Sequence, residues 1–387
     1  MPGELYDYIV SILAVGIIFV SGVLAIPAIN FINMRQVDEQ QLRNTALNVF
    51  NAILLGAGSP ADWGSVFPFE PESVDFFGLA YAGQSSLYVL DADKLQRLDE
   101  LGPSFITYEE VKEKLGLEEY GFNLKIFRPF RVDWAIELDP DDESVWFAVN
   151  VSRNEDQRPL PNAEIKSTIL ATARNVNPKG DPIYRVTSPS VYFTDALGFC
   201  EANESIDVPS DYILDSALAL LEVSVAGMST IVTAQTSLEY QNLLKIHTFG
   251  DTITLTFRED NETDPATWER RVLDISSYNY DEITQIFDGR EALPPDLKIT
   301  QGIGYETWSS VFPGLATTNP MLLLFTLRVK NPNRLIIIPG PFSLWDAATV
   351  FDFGPESGQK GYAAVKLRRY VVFSSMTFVA ELTLWKE

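Results

Sequence analysis

Tyr8-Ile9-Val10-Ser11-Ile12-Leu13-Ala14-Val15-Gly16-Ile17-Ile18-Phe19-Val20-Ser21-Gly22-Val23-Leu24-Ala25-Ile26 begins a stretch that reaches Met34 without one charged residue. A helix needs about 20 apolar residues to cross a bilayer core, so the run predicts a transmembrane anchor over residues 1–36. Its flanks oppose a cleaved leader: Glu4 and Asp7 precede it with no Lys or Arg, and Pro27-Ala28-Ile29-Asn30 is a poor exit site. Ala14, Gly16, Ser21, Gly22 and Ala25 are small enough to let a second helix approach closely. Pro27 removes a backbone donor and predicts a bend near the membrane exit.

A second pattern follows directly. Val37, Leu42, Ala46, Val49, Phe50 and Ile53 recur at three- and four-residue steps, with Glu39, Arg43, Asn44 and Asn51 between them. That stripe predicts an amphipathic stalk helix over 37–56, stopped by Gly56 and Gly58 and buried on one face against its own globular part.

The rest of the chain reads as mainly β, in an α+β whole. Residues 57–125 form a small α/β module. In it Thr107, with Glu110 three residues on, is a capping-box pattern, Val111 and Leu115 give an apolar pair one helical turn apart, and Gly116 gives a stop. Residues 126–235 form a β domain: Trp134, Ile136 and Leu138, then Val145, Phe147 and Val149, alternate with polar positions, as half-buried antiparallel strands do. Residues 236–387 form a second β-sandwich-like domain that packs on the stalk helix. Leu335 to Ile338 is an unbroken apolar run that predicts a strand buried on both faces. Residues 363–373 and 377–385 predict a closing hairpin.

The N-terminal pattern over residues 4–55 resembles the first helix of type IV pilins, archaeal ones included. The turn Ser59-Pro60-Ala61-Asp62-Trp63-Gly64, the stretch from Leu90-Asp91-Ala92-Asp93-Lys94-Leu95 to Tyr120-Gly121-Phe122, and the tail Leu367-Arg368-Arg369-Tyr370 to Trp385 resemble a wider group of archaeal single-pass, pilin-like surface proteins. The resemblance implies a membrane or filament-core position for the apolar half-helix, with a β-rich head outside the cell. The chain departs from the prepilin pattern in having only Met1-Pro2-Gly3 before Glu4, with no basic residue. Arg158 to Ile165 and Thr194-Asp195-Ala196-Leu197-Gly198 resemble turns of immunoglobulin-like modules of the carboxypeptidase-regulatory and bacterial surface type, which serve as spacers and adhesive units.

Composition narrows the partners. The 387 residues carry a net charge of -24, which repels nucleic-acid backbones. One cysteine, Cys200, leaves no intrachain disulfide. Asn150-Val151-Ser152, Asn203-Glu204-Ser205 and Asn261-Glu262-Thr263 are glycosylation sequons and favour an exterior body. Arg35 and Arg43 after the anchor argue for the opposite orientation; the sequons, the β-rich body and the pilin-like layout outweigh them.

Catalytic patterns are sparse. His247 and Cys200 are single, so zinc sites built from several His and Cys are excluded. No Gly-x-Ser-x-Gly elbow or phosphate-binding loop occurs. Asp139, Asp141, Asp142 and Glu143 share one turn, and Glu259 to Asp264 hold a second acidic run. Such oxygen-rich turns suit Ca2+, but they suit a solvated hairpin better, and neither has EF-hand spacing. Asp91, Asp93 and Asp99 read either as a cation site or as one helix cap with two solvated carboxylates. The chain therefore reads as a membrane-anchored, structural or adhesive surface protein. Its partners are membrane lipid, copies of itself through the N-terminal helix, and a surface ligand that the sequence does not identify. The alternative is a membrane-tethered receptor, solute-binding protein or extracellular enzyme.

Overall fold

The structure is a computed structural model. It describes residues 14–15, 39–83, 86–99, 104–236, 244–258, 271–279, 282–288, 298–302, 305–315, 322–329, 333–340, 351–355 and 363–387. Ala14 is helical and exposed; Gly16, Ser21, Gly22, Ala25, Pro27 and the Asn261 sequon lie outside the described residues. Among the described residues no helix is long and apolar enough to cross a membrane.

The chain is mainly β, and its strands form antiparallel sheets. Helix α1 occupies residues 39–55, and α2 (Ala92–Gln96) and α3 (Tyr108–Lys114) follow. In chain order the strands begin with β1 (Tyr120–Phe127), β2 (Phe130–Asp139), β3 (Ser144–Arg153), β4 (Glu164–Asn175), β5 (Ile183–Val186), β6 (Ser190–Phe193), β7 (Phe199–Ser205), β8 (Tyr212–Val225) and β9 (Met228–Gln235). Next come β10 (Leu244–Phe249), β11 (Thr252–Arg258), β12 (Arg271–Asn279), β13 (Glu282–Asp288), β14 (Lys298–Gly302), β15 (Tyr305–Val311), β16 (Leu322–Val329) and β17 (Arg334–Gly340). The chain closes with β18 (Phe351–Phe353), β19 (Ala364–Phe373) and β20 (Met376–Lys386).

The stripe on α1 is buried: Leu42, Ala46, Val49, Phe50 and Ile53 belong to the largest core. That core also holds Trp63, Leu95, Val111, Phe122, Leu124 and Ile126, and from the tail Phe373, Phe378, Leu382 and Leu384. The helix ends where Gly56 N–H donates to Ala52 O at 3.1 Å. Helix α3 is capped as its sequence predicts: Thr107 Oγ1 accepts the Glu110 amide at 3.3 Å, and Glu110 Oε2 accepts the Thr107 amide at 2.7 Å.

The tail departs from the sequence division. Strand β20 does not join the sheets of residues 244–340. It lies between β1 and β19 in the order β18-β1-β20-β19, pairing Phe122 with Leu384 and Leu124 with Leu382. The physical reason is that among the described residues of 39–127 β1 is the one long strand, and its apolar side chains need a sheet to complete one face over α1. The first unit is therefore discontinuous in sequence, and the other sheets are inserted between β1 and β18.

The inserted sheets stack in layers. The first layer is β2-β3-β7 and the second β5-β4-β8-β9; between them lie Phe147, Val149, Val151, Ile165, Ile169, Leu221 and Val223. The opposite face of the second layer presents Leu170, Leu218, Leu220 and Ile231, in one core with Tyr278, Leu322, Leu324 and Ile337 of the third layer, β13-β12-β16-β17. The far side of that layer presents Leu323, Phe325, Leu327 and Ile338 to Ile246, Ile253 and Leu255 of the fourth, β10-β11-β15-β14. Alternating residues of β16 thus face different cores. This explains the unbroken apolar runs Ala217 to Leu221 and Leu322 to Phe325: an inner sheet has no solvent face to fill with polar residues.

Candidate functional site

Among the described residues, a group of buried charges surrounds α2. Asp91 caps the helix, accepting the Asp93 amide at 3.0 Å. Lys94 is 0% exposed, and its ammonium donates to Ala57 O at 2.8 Å and Ala80 O at 2.7 Å, with Asp91 Oδ2 at 3.6 Å. Burial pushes the Lys94 ammonium below the usual lysine range against the pull of Asp91, and pushes the Asp91 carboxyl up against the pull of Lys94.

Arg97 is also 0% exposed and donates to carbonyls. Its Nε meets Gly64 O at 3.1 Å, one Nη meets Ser104 O at 3.2 Å, and the other meets Val66 O. Its guanidinium carbon sits 3.5 Å from the Phe249 ring centroid and 4.6 Å from that of Phe69, a cation–π arrangement in a desolvated site. Burial lowers its pKa to about 9, with Asp93 opposing.

Two further side chains of α2 reach β10. Gln96 Oε1 accepts the Thr248 amide at 2.8 Å, and its Nε2 donates to Thr248 Oγ1 at 3.1 Å. Asp93 Oδ2 accepts from Ser65 Oγ at 2.9 Å and from the Gly250 amide at 2.7 Å. Burial raises the Asp93 pKa to about 6, with the neighbouring Asp91 charge adding to it. The cation-site reading of Asp91, Asp93 and Asp99 meets a different arrangement: Asp91 is a cap, Asp93 a part-buried bridge, and Asp99 lies 3.6 Å from His247 Nε2. The solvated alternative fails for Asp93 as well, because its Oδ2 is taken by Ser65 of the 56–66 loop and by Gly250 of the turn after β10.

The loop of residues 56–66 is shaped for this junction. Trp63 is fully buried and its indole N–H donates to Gly78 O at 3.1 Å. A Cβ on Gly64 would stand 2.6 Å from the Lys94 backbone nitrogen, so this glycine is required by close approach. The node thus draws the loop after α1, helix α2 and the fourth-layer strand β10 together. Its chemistry is that of a latch: donors and acceptors are matched to one another, and backbone carbonyls hold both cations.

The remaining predicted residues are dispersed. Cys200 is buried on β7, paired with Val149, and burial pushes its thiol up, opposite to an activated nucleophile. His247 lies on β10 in a different sheet, stacked on Phe249 at 6.1 Å. In the acidic turn, Asp139 Oδ1 accepts the Asp141 amide at 3.0 Å and the Asp142 amide at 3.1 Å, while Glu143 takes φ 48. That is an Asx-type turn built by its own side chain. Among the described residues no group of three or more His, Cys, Asp or Glu is placed to hold a metal ion. Asn150 and Asn203 are exposed on the outer face of the first layer.

A cavity of 160 Å³ lies between the second and third layers, lined by Thr172, Asp215, Ser216, Gln235 and Arg334 with apolar neighbours. Thr172 and Ser216 hydroxyls are 2.8 Å apart, Gln235 donates to Ile337 O at 3.1 Å, and burial raises Asp215 against the pull of Arg334 and Arg174. Its size falls below the roughly 300–1,000 Å³ of ligand clefts.

Sequence reasoning missed Lys94, Gln96 and Arg97, because charged and amide side chains on a short helix default to a solvated reading. The nearby signals are Trp63-Gly64 and the Asp91-x-Asp93 pair at the start of α2. The chain matches no protein-family model and no curated protein.

Proposed function

We propose that this chain is a membrane-anchored surface protein of structural or adhesive type, pilin-like in plan, with a rigid β-rich body outside the cell. The observation that carries the reading is the continuity of two patterns. The uncharged run from Tyr8 to Met34 leads into α1, whose Leu42, Val49, Phe50 and Ile53 are buried under a body that includes the tail hairpin. A helix greasy on all sides that becomes one-sided as it meets its own domain suits an anchor joined stiffly to a head. The body suits load-bearing: its two-sheet, sandwich-like units share an apolar interface, and the polar latch at α2 joins β10 of the fourth layer to the first unit. Immunoglobulin-like spacer modules would play such a part. Small residues Ala14, Gly16, Ser21, Gly22 and Ala25 would let anchors pack into a filament core.

The test is fractionation of expressing cells with protease shaving, followed by electron microscopy of the purified full chain. Membrane retention with a body cleavable from outside, as filaments or as tethered heads, is expected. A freely soluble chain, or a body protected by the intact membrane, overturns the reading.

A further inference from the structure

Asn150 and Asn203 occupy one sheet face yet differ in setting. Asn150 lies on the central strand β3, between Asp133 of β2 and Phe199 of β7. The serine of its sequon, Ser152, is 6% exposed, pairs with Arg131 and bridges Pro159. Asn203 lies on β7, which ends the order β2-β3-β7, and among the described residues no strand pairs with the far edge of β7. Its Ser205 is exposed and closes the strand. Directly opposite Asn203 stands Trp146, on the same outer face.

A glycosyl transferase must take the asparagine amide and the hydroxyl two residues on into its own site. A central strand yields both only by opening the sheet, whereas an edge strand can peel away locally. We infer that Asn203 is the acceptor that is glycosylated on the folded chain, that Asn150 accepts sugar only before folding, and that the Trp146 indole is the surface on which the first sugar lies. In the transfer, a bond forms between Asn203 Nδ2 and C1 of a sugar carried on a polyprenyl phosphate. The C1–O bond to that phosphate breaks, the lipid phosphate leaves, and one amide proton passes to the transferase. Facing across strands, indole and sugar meet as aromatic cross-strand pairs do, through an apolar ring face.

The inference rests on the exterior reading of the body, but its test does not. The purified, folded chain is treated with an oligosaccharyl transferase and a lipid-linked oligosaccharide, and occupancy is mapped by peptide mass spectrometry. Asn203 is expected to exceed Asn150 by at least about tenfold, the ratio given by ~1.4 kcal/mol of opening free energy, and the preference should vanish on urea-unfolded chain. The glycan should raise the thermal midpoint of the wild type but not of Trp146→Ala. Asn203 unmodified on the folded chain, Asn150 modified equally, or an equal glycan effect in both proteins overturns the inference. Failure of the exterior reading would appear separately, as native protein that is protease-protected.

Discussion

The Gly250 amide donates to Asp93 Oδ2 at 2.7 Å, joining α2 to the turn after β10 across 157 residues of sequence. Gly250 sits at φ +58, in the tight connection between Phe249 and Thr252, so its amide points out of the hairpin. The carboxylate that meets it is buried beside Asp91 and near Arg97 and Lys94.

A pH dependence follows. The Asp93 pKa rises from 3.8 to about 6, so the folded chain holds a proton between about pH 4 and pH 6 that the unfolded chain has released. The contribution to stability is full below pH 4 and is lost as pH rises through 6, up to ~3 kcal/mol at 1.36 kcal/mol for each pKa unit. Asp93→Asn keeps an oxygen for Gly250 without the charge. It should be at least as stable as the wild type at pH 8, and the pH slope of its denaturation midpoint between 4 and 6 should shrink by the share of Asp93, with the raised Asp91 carboxyl still contributing. Urea titrations across that range check both.

Lys94 supplies a second expectation. Lys94→Met keeps the stem and removes the ammonium, leaving Ala57 O, Ala80 O and Asp91 with no donor from this side chain. Stranding buried acceptors and a carboxylate costs about 3–5 kcal/mol. Gly64→Ala should destabilise similarly, since the methyl would overlap the Lys94 backbone. Thermal melts should fall for both, and the two losses should not add, because each change loosens the same contact.

The first unit should unfold as one. Phe50 on α1 is 1% exposed, Phe378 on β20 is 0% exposed, and both sit in one core. Phe50→Ala or Phe378→Ala should cost about 3–5 kcal/mol. Hydrogen exchange should then accelerate together over 39–127 and 363–387, and remain unchanged over β3, whose Val145, Phe147, Val149 and Val151 lie in a separate core. Acceleration confined to the mutated element would contradict the shared core.

What could be read from residues alone was local. Alternation in β2 and β3, the Thr107–Glu110 cap and the α1 stripe each carry their period in a few neighbouring positions. The pairing of Leu382 with Leu124 does not: an apolar hairpin fits any open sheet, and the choice of β1 depends on which edge the rest of the chain leaves free. Arg97 was illegible for the same reason, since its acceptors Gly64 O and Ser104 O come from loops with no sequence period.

The inner layers give the last expectation. On β16, Leu324 faces the second layer and Leu323 and Phe325 face the fourth, so neighbouring residues report on different interfaces. Leu324→Asp places a carboxylate 2% exposed at its wild-type position among Leu170, Leu218, Leu220 and Tyr278. The new carboxyl must ionise in an apolar layer or stay protonated, and either costs several kcal/mol. The second and third layers should separate, exposing Leu218 and Leu220, while the core of Phe147, Val149 and Ile165 on the other side of the second layer stays protected. Hydrogen exchange should therefore rise on β8 and β9 residues that face the third layer and stay slow on β3. If β3 loosened equally, the second layer would depend on both neighbours for its fold and the stack would be one cooperative block.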